Sequence, residues 1–338
     1  MKVKLLCVMM VCVVLCTSFF SMAKPLQKQP INSLNTSSCL SFTDVYPPLW
    51  EPGDAWTYRI NSISIHFTQD NQTVDMNLEI DELYLEVIYD YGDYDYTLAF
   101  DASVSGVSDI NVDFGDGPIN MTVTFSSAYL GGTIIVKKAN LGVQDFRLFF
   151  KDRLRVTVYH QPYVHLPFSL PVIPVPLTVS LSTHFESPFV FLSFPFNTSS
   201  TWNLSATNFT INGNLQSIWF KILDVVNKLA NRFGYELLPP EIAALLPIVY
   251  INETLHALGI GNRFSIPEIP YAFSCFSTEN VTVPAGTYTC YNVSILGGLA
   301  HYYYAPAAGT IIKLSGNFQE VLPSLKNIDV ELLQTNFH

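Results

Sequence analysis

The chain has 338 residues, of which 49% are hydrophobic, 14% aromatic and only 13% charged, and 17 Lys and Arg against 28 Asp and Glu give a formal net charge of −11. A composition this apolar excludes an intrinsically disordered protein. Because an acidic surface repels phosphate and no basic stripe is visible in the sequence, we expect no nucleic-acid partner.

The N-terminus has the pattern of a secretory signal peptide. Lys2 and Lys4 precede an apolar run over residues 5–20, and residues 21–23 (SMA) place small side chains where a signal peptidase reads them. The run is shorter than the roughly 20 residues that span a bilayer, which favours cleavage over an uncleaved anchor helix. We therefore predict a signal peptide over 1–23, a secreted or cell-surface location, and no membrane span after cleavage.

The remainder divides into a polar N-terminal lead over 24–45 and a single β-rich domain over 46–338. Strand patterns dominate the domain, and the clearest lies at 74–87. Its apolar side chains alternate with polar ones and then change phase at Asp81-Glu82, which predicts a β-bulge near Glu82. The apolar set before and after the phase change is Val74, Met76, Leu78, Ile80, Leu83, Leu85 and Val87.

Two later segments interrupt the strand patterns. Five prolines between Pro162 and Pro176 argue against a helix or a central strand and favour an extended apolar segment. Apolar residues at helical spacing from Ile218 to Phe233 then predict an amphipathic helix that ends at Gly234. This helix begins a predicted helical insertion at about 215–260, so the expected fold class is mainly β (α+β).

The stretch ENVTVPAGTYTCYNVSI (279–295) predicts a β-hairpin. Pro284-Ala285-Gly286 would form the turn, with the odd-numbered apolar residues buried and the even-numbered residues on a wet face. Removal of the signal peptide leaves Cys39, Cys275 and Cys290, which permits one disulfide in an exported protein. All three pairings remain open, and Cys275–Cys290 is the one that we predict, on the wet face.

Glycosylation is the second surface feature that the sequence indicates. An exported chain this poor in charge would gain solubility from glycans attached at Asn-x-Ser/Thr sites. The alternative is that several of these sites are only polar strand and turn segments. The sites are Asn35, Asn71, Asn120, Asn197, Asn203, Asn208, Asn252, Asn280 and Asn292.

Four short motifs resemble a known group of proteins. They are WEPGDAWTY (50–58), FPFNTSSTW (194–202), VTVPAGTYTCYNV (281–293) and YYYAPAAGTIIK (302–313). The set resembles exported prokaryotic, archaeal-type β-rich proteins of unknown function with G-D-x-W-x-Y and V-P-A-G-T-[FY] motifs. The resemblance implies one large curved antiparallel sheet or half-barrel, similar to half-barrel lipoprotein-carrier-like domains, with helices over its concave side. It supplies no catalytic residues.

The sequence contains no catalytic motif, so we predict a protein that is not an enzyme and has no cofactor. Asp109, Asn111, Asp113 and Asp116 are faintly similar to a calcium loop. However, Phe114 stands where such a loop requires glycine, and a wet strand face is the preferred interpretation. No metal site is therefore predicted.

Three functions compete at this point. The first is a glycoprotein that binds an apolar small molecule or lipid in the concave sheet, and that could also contact cell-surface proteins. The second is a structural or adhesive surface protein without a ligand, and the third is a hydrolase with an unrecognised site. The residues predicted to line the apolar site of the first are Trp56, Tyr58, Trp219, Phe220 and Tyr291.

Overall fold

The structure is a computed structural model, and it describes most of the chain after residue 43. The signal peptide, most of the polar lead and much of the proline-rich segment lie outside the described residues, so those predictions stay predictions. The described residues are 44–69, 72–113, 118–159, 172–234, 243, 246, 248–257, 261–317 and 325–337.

Long antiparallel strands form the first half of the domain. They are β1 (Ala55–Gln69), β2 (Gln72–Asp90), β3 (Asp95–Asp113), β4 (Pro118–Lys137), β5 (Val143–Tyr159) and β6 (Ile173–Phe189). Each strand pairs with the next along the chain, so this half is a continuous meander.

Shorter strands and two helices form the second half. The strands are β7 (Thr201–Leu204), β8 (Thr207–Gln216), β9 (Ile248–Tyr250), β10 (Arg263–Ile266), β11 (Ile269–Val283), β12 (Gly286–Ile295), β13 (Ala300–Ala305), β14 (Thr310–Asn317) and β15 (Leu325–Thr335). The helices are α1 (Ile218–Arg232) and α2 (Ile251–Ala257), and a 3-10 turn spans Pro306–Ala308. These strands join the same sheet, so the prediction of a mainly β fold with a small helical insertion is confirmed.

The sheet extends beyond a half-barrel, because its two edges meet. Leu204 on β7 pairs with Ile269 on β11, and Thr207 on β8 pairs with Ile266 on β10. β7 runs into β8, and β10 into β11, through two residues each. The pairs on either side of this interruption, Leu204 with Ile269 and Thr207 with Ile266, keep one register, and the β7–β11 pairing shifts between Ile269 and Phe273. They are therefore one antiparallel ladder, and it closes the sheet between β6 on one side and β12 on the other.

The predicted bulge is confirmed in β2. Ile80 pairs with Val104 on β3, but the next pair is Leu83 with Ala102, so β2 contains one extra residue between them. The bulge keeps Val74 and Val87 on the same buried face although their spacing in sequence is odd. The alternation of side chains alone therefore identifies the inner face of this strand.

A pair of prolines lies within β6, which the sequence argued against. Pro174 and Pro176 pair with Arg155 and Arg153 of β5, whereas β8 pairs with β6 only from Thr178 onward. This end of β6 therefore has a ladder on one side only. Proline lacks a backbone N–H, and it is tolerated where that side of the strand needs no partner.

A glycine allows two aromatic rings to meet across β4. Phe100 of β3 and Phe146 of β5 stack with a centroid distance of 5.6 Å and an interplanar angle of 4°. Gly132 of β4 pairs with Phe100, and a Cβ there would collide with the Phe100 ring and with the carbonyl oxygen of Arg147. Close approach between backbone and ring therefore requires glycine at position 132.

We expect Gly132→Ala to lower the free energy of unfolding by about 1–3 kcal/mol, the usual cost of overpacking a closed core. Urea unfolding followed by circular dichroism measures the change. Ser103→Ala, at an exposed position of β3, is the matched control and should change stability by less than ~0.5 kcal/mol. Equal unfolding midpoints for Gly132→Ala and the unchanged protein would contradict this account.

Candidate functional site

Two of the predicted ligand residues, Trp56 and Tyr58, are structural. Trp56 is 1% exposed, and its Nε1–H donates to the carbonyl oxygen of Ala308 at 2.8 Å. The Tyr58 hydroxyl shares a hydrogen bond of 2.7 Å with the Thr310 hydroxyl, and burial raises the pKa of Tyr58. Both side chains are packed and hydrogen-bonded, so neither lines a binding cavity.

The same region joins three of the four sequence motifs. Trp50 packs on Trp56 with ring centroids 5.0 Å apart, and its Nε1–H donates to the carbonyl oxygen of Gly309 at 3.0 Å. The β11–β12 turn reaches β15 here, where the Ala285 N–H donates to the Leu332 carbonyl oxygen at 3.3 Å. These motifs thus form a packed junction at one end of the sheet.

The other three predicted residues lie elsewhere. Tyr291 packs against Phe196 in the larger core cluster, with ring centroids 5.5 Å apart, and Phe220 is buried in that cluster. Trp219 is 39% exposed, and its Nε1–H donates to the carbonyl oxygen of Pro174 at 2.9 Å. The structure therefore does not bring the five predicted residues together into one site.

The predicted hairpin forms, but its faces differ from the prediction. Val283 pairs with Gly286, and Asn280 pairs with Thr289, so an even-numbered residue of β11 shares its face with odd-numbered residues of β12. Cys290 accordingly packs beside Val283 in the second core cluster, away from Asn280. A two-residue turn pairs odd-numbered residues of one strand with even-numbered residues of the other, and this holds from Val283 with Gly286 as far as Ser277 with Asn292.

The predicted disulfide Cys275–Cys290 is wrong in this structure, where both thiols are free and buried. Cys275 pairs with Val293, which lies three residues from Cys290 along β12. That offset separates the two Cα atoms by roughly 10 Å at ~3.4 Å per residue. A disulfide needs about 4.4–6.8 Å. Cys39 lies outside the described residues.

We expect both thiols to resist alkylation in the folded protein. Burial raises the pKa of Cys275 and of Cys290 to about 11, so little thiolate forms at neutral pH. Iodoacetamide labelling with peptide mass spectrometry should modify neither residue in native buffer and both in denaturant. Modification in native buffer, or a peptide linked through the two cysteines, would contradict the structure.

The predicted glycosylation sites differ in accessibility. Asn120, Asn203 and Asn280 are exposed, whereas Asn197, Asn208 and Asn252 are partly buried. Asn35 and Asn71 lie outside the described residues. Asn292 is 6% exposed, its Nδ2–H donates to Glu279 Oε1 at 2.6 Å, and its Oδ1 lies 3.0 Å from His301 Nδ1. Attachment of a sugar there would expose the buried Asn292 side chain and break its hydrogen bonds with Glu279 and His301.

If the β11–β12 hairpin carries a glycan, we therefore expect it on Asn280 and not on Asn292. Enzymatic removal of glycans in ¹⁸O-labelled water, applied to protein from its own host, converts each occupied Asn to labelled Asp. The two sites lie on adjacent strands of one hairpin, so each serves as the control for the other. Labelled Asp at position 292 would contradict the burial and the hydrogen bonds of Asn292 in this structure.

The strand that was weighed as a calcium loop forms a shallow polar groove. Asp109 pairs with Asp75 across β2 and β3, and the groove between β2, β3 and β4 has a volume of about 260 Å³. Thr122 Oγ1 donates to Asp109 at 2.7 Å, and His66 Nδ1 lies 2.6 Å from Asp75. Within the described ranges no group of three or more His, Cys, Asp or Glu could hold a metal ion. Asp116 of the weighed calcium loop lies outside the described residues.

The candidate site is the outward face of α1. Ser217 caps the helix by accepting a hydrogen bond from the Trp219 N–H at 3.3 Å, and α1 is held on the sheet through buried Phe220 and Asn227. Seven apolar side chains, here called the apolar arc, lie on the outward side at 39–71% exposure. They are Ile218, Trp219, Ile222, Val225, Val226, Leu229 and Phe233.

The apolar arc is a continuous surface. At 3.6 residues per turn, its members cover about 120° of the circumference, roughly opposite Phe220 and Asn227. Lys221, Lys228 and Arg232 border it along one side and are exposed. The sequence correctly predicts the amphipathic helix, but its periodicity alone does not indicate which face the fold covers.

Comparisons with known proteins add no further function. No protein-family model, curated protein or solved structure matches this chain. Among the described residues, no helix combines the length and the apolar character needed to cross a membrane.

Proposed function

We propose that this chain is a non-enzymatic, extracytoplasmic binding protein whose partner is a lipid or another apolar molecule. The partner binds the apolar arc of α1, outside the closed sheet. The observation that carries this proposal is the exposure of seven apolar side chains on one side of a single helix. Contiguous exposed apolar patches on soluble proteins mark interaction sites. The signal-peptide pattern supports a location outside the cytoplasm.

The contacts of α1 support a fixed outward face. Rotation of the helix to bury the arc would expose Phe220, which is 4% exposed, and would break the hydrogen bond from Trp219 to Pro174. Burial of a phenylalanine side chain is worth about 1.5–3 kcal/mol. The buried Phe220 and this hydrogen bond thus define the orientation of α1 in the structure, with the arc outward.

The inner face of the sheet supports this choice of surface. Trp56 and Tyr58, which would have lined a concave site, contribute their polar atoms to hydrogen bonds within the packed junction. A ligand there would have to displace the turn at Pro306–Ala308. The outer face of α1 needs no such rearrangement.

Trp219 provides a specific readout of binding. The chain has four tryptophans, and Trp50, Trp56 and Trp202 are buried, so Trp219 is the exposed one. We expect dodecyl maltoside, added below its critical micelle concentration, to shift the emission to shorter wavelength as the indole leaves water. Trp219→Phe should abolish the shift and Trp202→Phe should retain it.

Two matched variants then test the arc itself. Val225→Asp with Leu229→Asp should abolish the shift, whereas Asn231→Asp, an exposed position outside the arc, should not. Native mass spectrometry before and after organic extraction would show whether protein from its own host carries a stoichiometric apolar species. No shift together with no extractable species would overturn the proposal.

A structural or adhesive role without a ligand is the second candidate. The packed junction around Trp56 favours it, because Trp50, Trp56 and Tyr58 are buried together in one core cluster there. Concentration-dependent self-association in analytical ultracentrifugation, without any extractable apolar species, would support this candidate over the first.

A further inference from the structure

A row of positive charge lies on the outer face of β5. Alternate residues of this strand point outward, and Arg147, Lys151, Arg153 and Arg155 are all exposed. We call these four residues the cationic row. The sequence expectation of no basic stripe is wrong for β5, because its cations alternate with Asp152 and apolar residues and share one face only at the period of two of a strand.

The residues that pair with the cationic row on the neighbouring strands carry no carboxylate that would neutralise its charge. Its partners on β6 are Ser182, Thr178, Pro176 and Pro174. On β4, Arg147, Lys151 and Arg155 pair with Thr133, Tyr129 and Thr124. None of these side chains is acidic. Such a row is unusual in a chain with a net charge of −11.

The cationic row and α1 adjoin at one end of β6. Trp219 of the apolar arc donates to the carbonyl oxygen of Pro174, and Pro174 pairs directly with Arg155. Lys221, Lys228 and Arg232 add three exposed cations beside the arc, and only Asp224 of α1 opposes them, through a 2.7 Å ion pair with Lys228. Seven of the 17 Lys and Arg of the chain thus lie on β5 and α1.

From this juxtaposition we infer that the partner of α1 is the surface of a lipid bilayer that carries anionic headgroups. The inference rests on the proposed function and narrows it. The apolar arc inserts at the boundary between headgroups and acyl chains, and the cationic row and the α1 cations bind the headgroups. An amphipathic helix with basic residues beside its apolar face is typical of helices that lie in the membrane interface.

Charge makes the inference specific to anionic membranes. An acidic protein is repelled overall by a negative surface, so binding requires a local cluster of cations that faces the membrane. Each Lys or Arg near an anionic surface contributes about 1 kcal/mol, close to fivefold in partitioning. The contribution falls as salt shortens the Debye length.

The test is vesicle co-sedimentation of the full folded protein, with Trp219 emission recorded on the same samples. The vesicles are phosphatidylcholine alone, and phosphatidylcholine with a minority of phosphatidylglycerol, each at low and high salt. We expect binding to the anionic vesicles only, weakened by salt. Arg153→Gln with Arg155→Gln should reduce it by at least about tenfold.

Two further variants separate the parts of the surface. Val225→Asp with Leu229→Asp should abolish binding, with Asn231→Asp as its control. Arg59→Gln with Arg263→Gln removes two exposed cations that pair with Glu331 and Glu186 and that belong to neither β5 nor α1, and binding should be retained. Circular dichroism of every variant confirms that it is folded.

The outcomes distinguish this inference from the proposed function. Equal binding to both vesicle types, or no vesicle binding with a retained response to dodecyl maltoside, overturns the inference and leaves the proposed function standing. Failure of both the vesicle readout and the detergent readout overturns the inference and the proposed function together.

Two other outcomes would assign the surface to a different partner. A dimer that dissociates in the Val225→Asp, Leu229→Asp variant assigns the arc to a second copy. Salt-sensitive binding of duplex DNA by that variant assigns the cationic row to nucleic acid. Either result overturns the inference.

Discussion

The fold depends on one antiparallel ladder, between residues 201–210 and residues 263–274. Its two parts, β7 with β11 and β8 with β10, keep a single register across the interruption between them. Without this ladder the sheet would have two edges, each with unpaired backbone N–H and C=O groups. Closure pairs those groups and brings Phe209, Trp202 and Phe273 into one core cluster.

Closure at one end of the sheet depends on hydrogen bonds from two indoles. Trp50 and Trp56 donate to consecutive carbonyl oxygens, those of Gly309 and Ala308, at the end of the 3-10 turn. Buried indole N–H groups need acceptors, and the last carbonyls of a helical turn need donors, so each satisfies the other. Gly309 adopts the left-handed conformation, with φ of 61°, and ends the turn. The sequence motifs in this region therefore have a structural explanation.

The same closure brings two features of the outer surface together. The inward faces of the strands pack into the core clusters, and among the described residues the start of β6 has a ladder on its β5 side alone. Pro174 and Pro176 lie there, and the carbonyl oxygen of Pro174 accepts a hydrogen bond from the Trp219 Nε1–H. This contact places α1 beside the outward cations of β5. An apolar helix face and a positively charged strand face thus adjoin although about 60 residues separate them in sequence, and only strand pairing can produce that proximity.

The sequence by itself determined the features that depend on local periodicity. The alternation from Val74 to Val87 identified a strand, its inner face and its bulge, and the spacing from Ile218 to Phe233 identified an amphipathic helix. Tertiary structure alone decided which parts meet: the register that separates Cys275 from Cys290 and buries Asn292, and the side of α1 that faces outward. The periodicity of a segment indicates which side chains share a face of that strand or helix. The disulfide geometry, the burial of Asn292 and the orientation of α1 depend instead on how distant segments pair, and the sequence of one strand or helix does not specify that register.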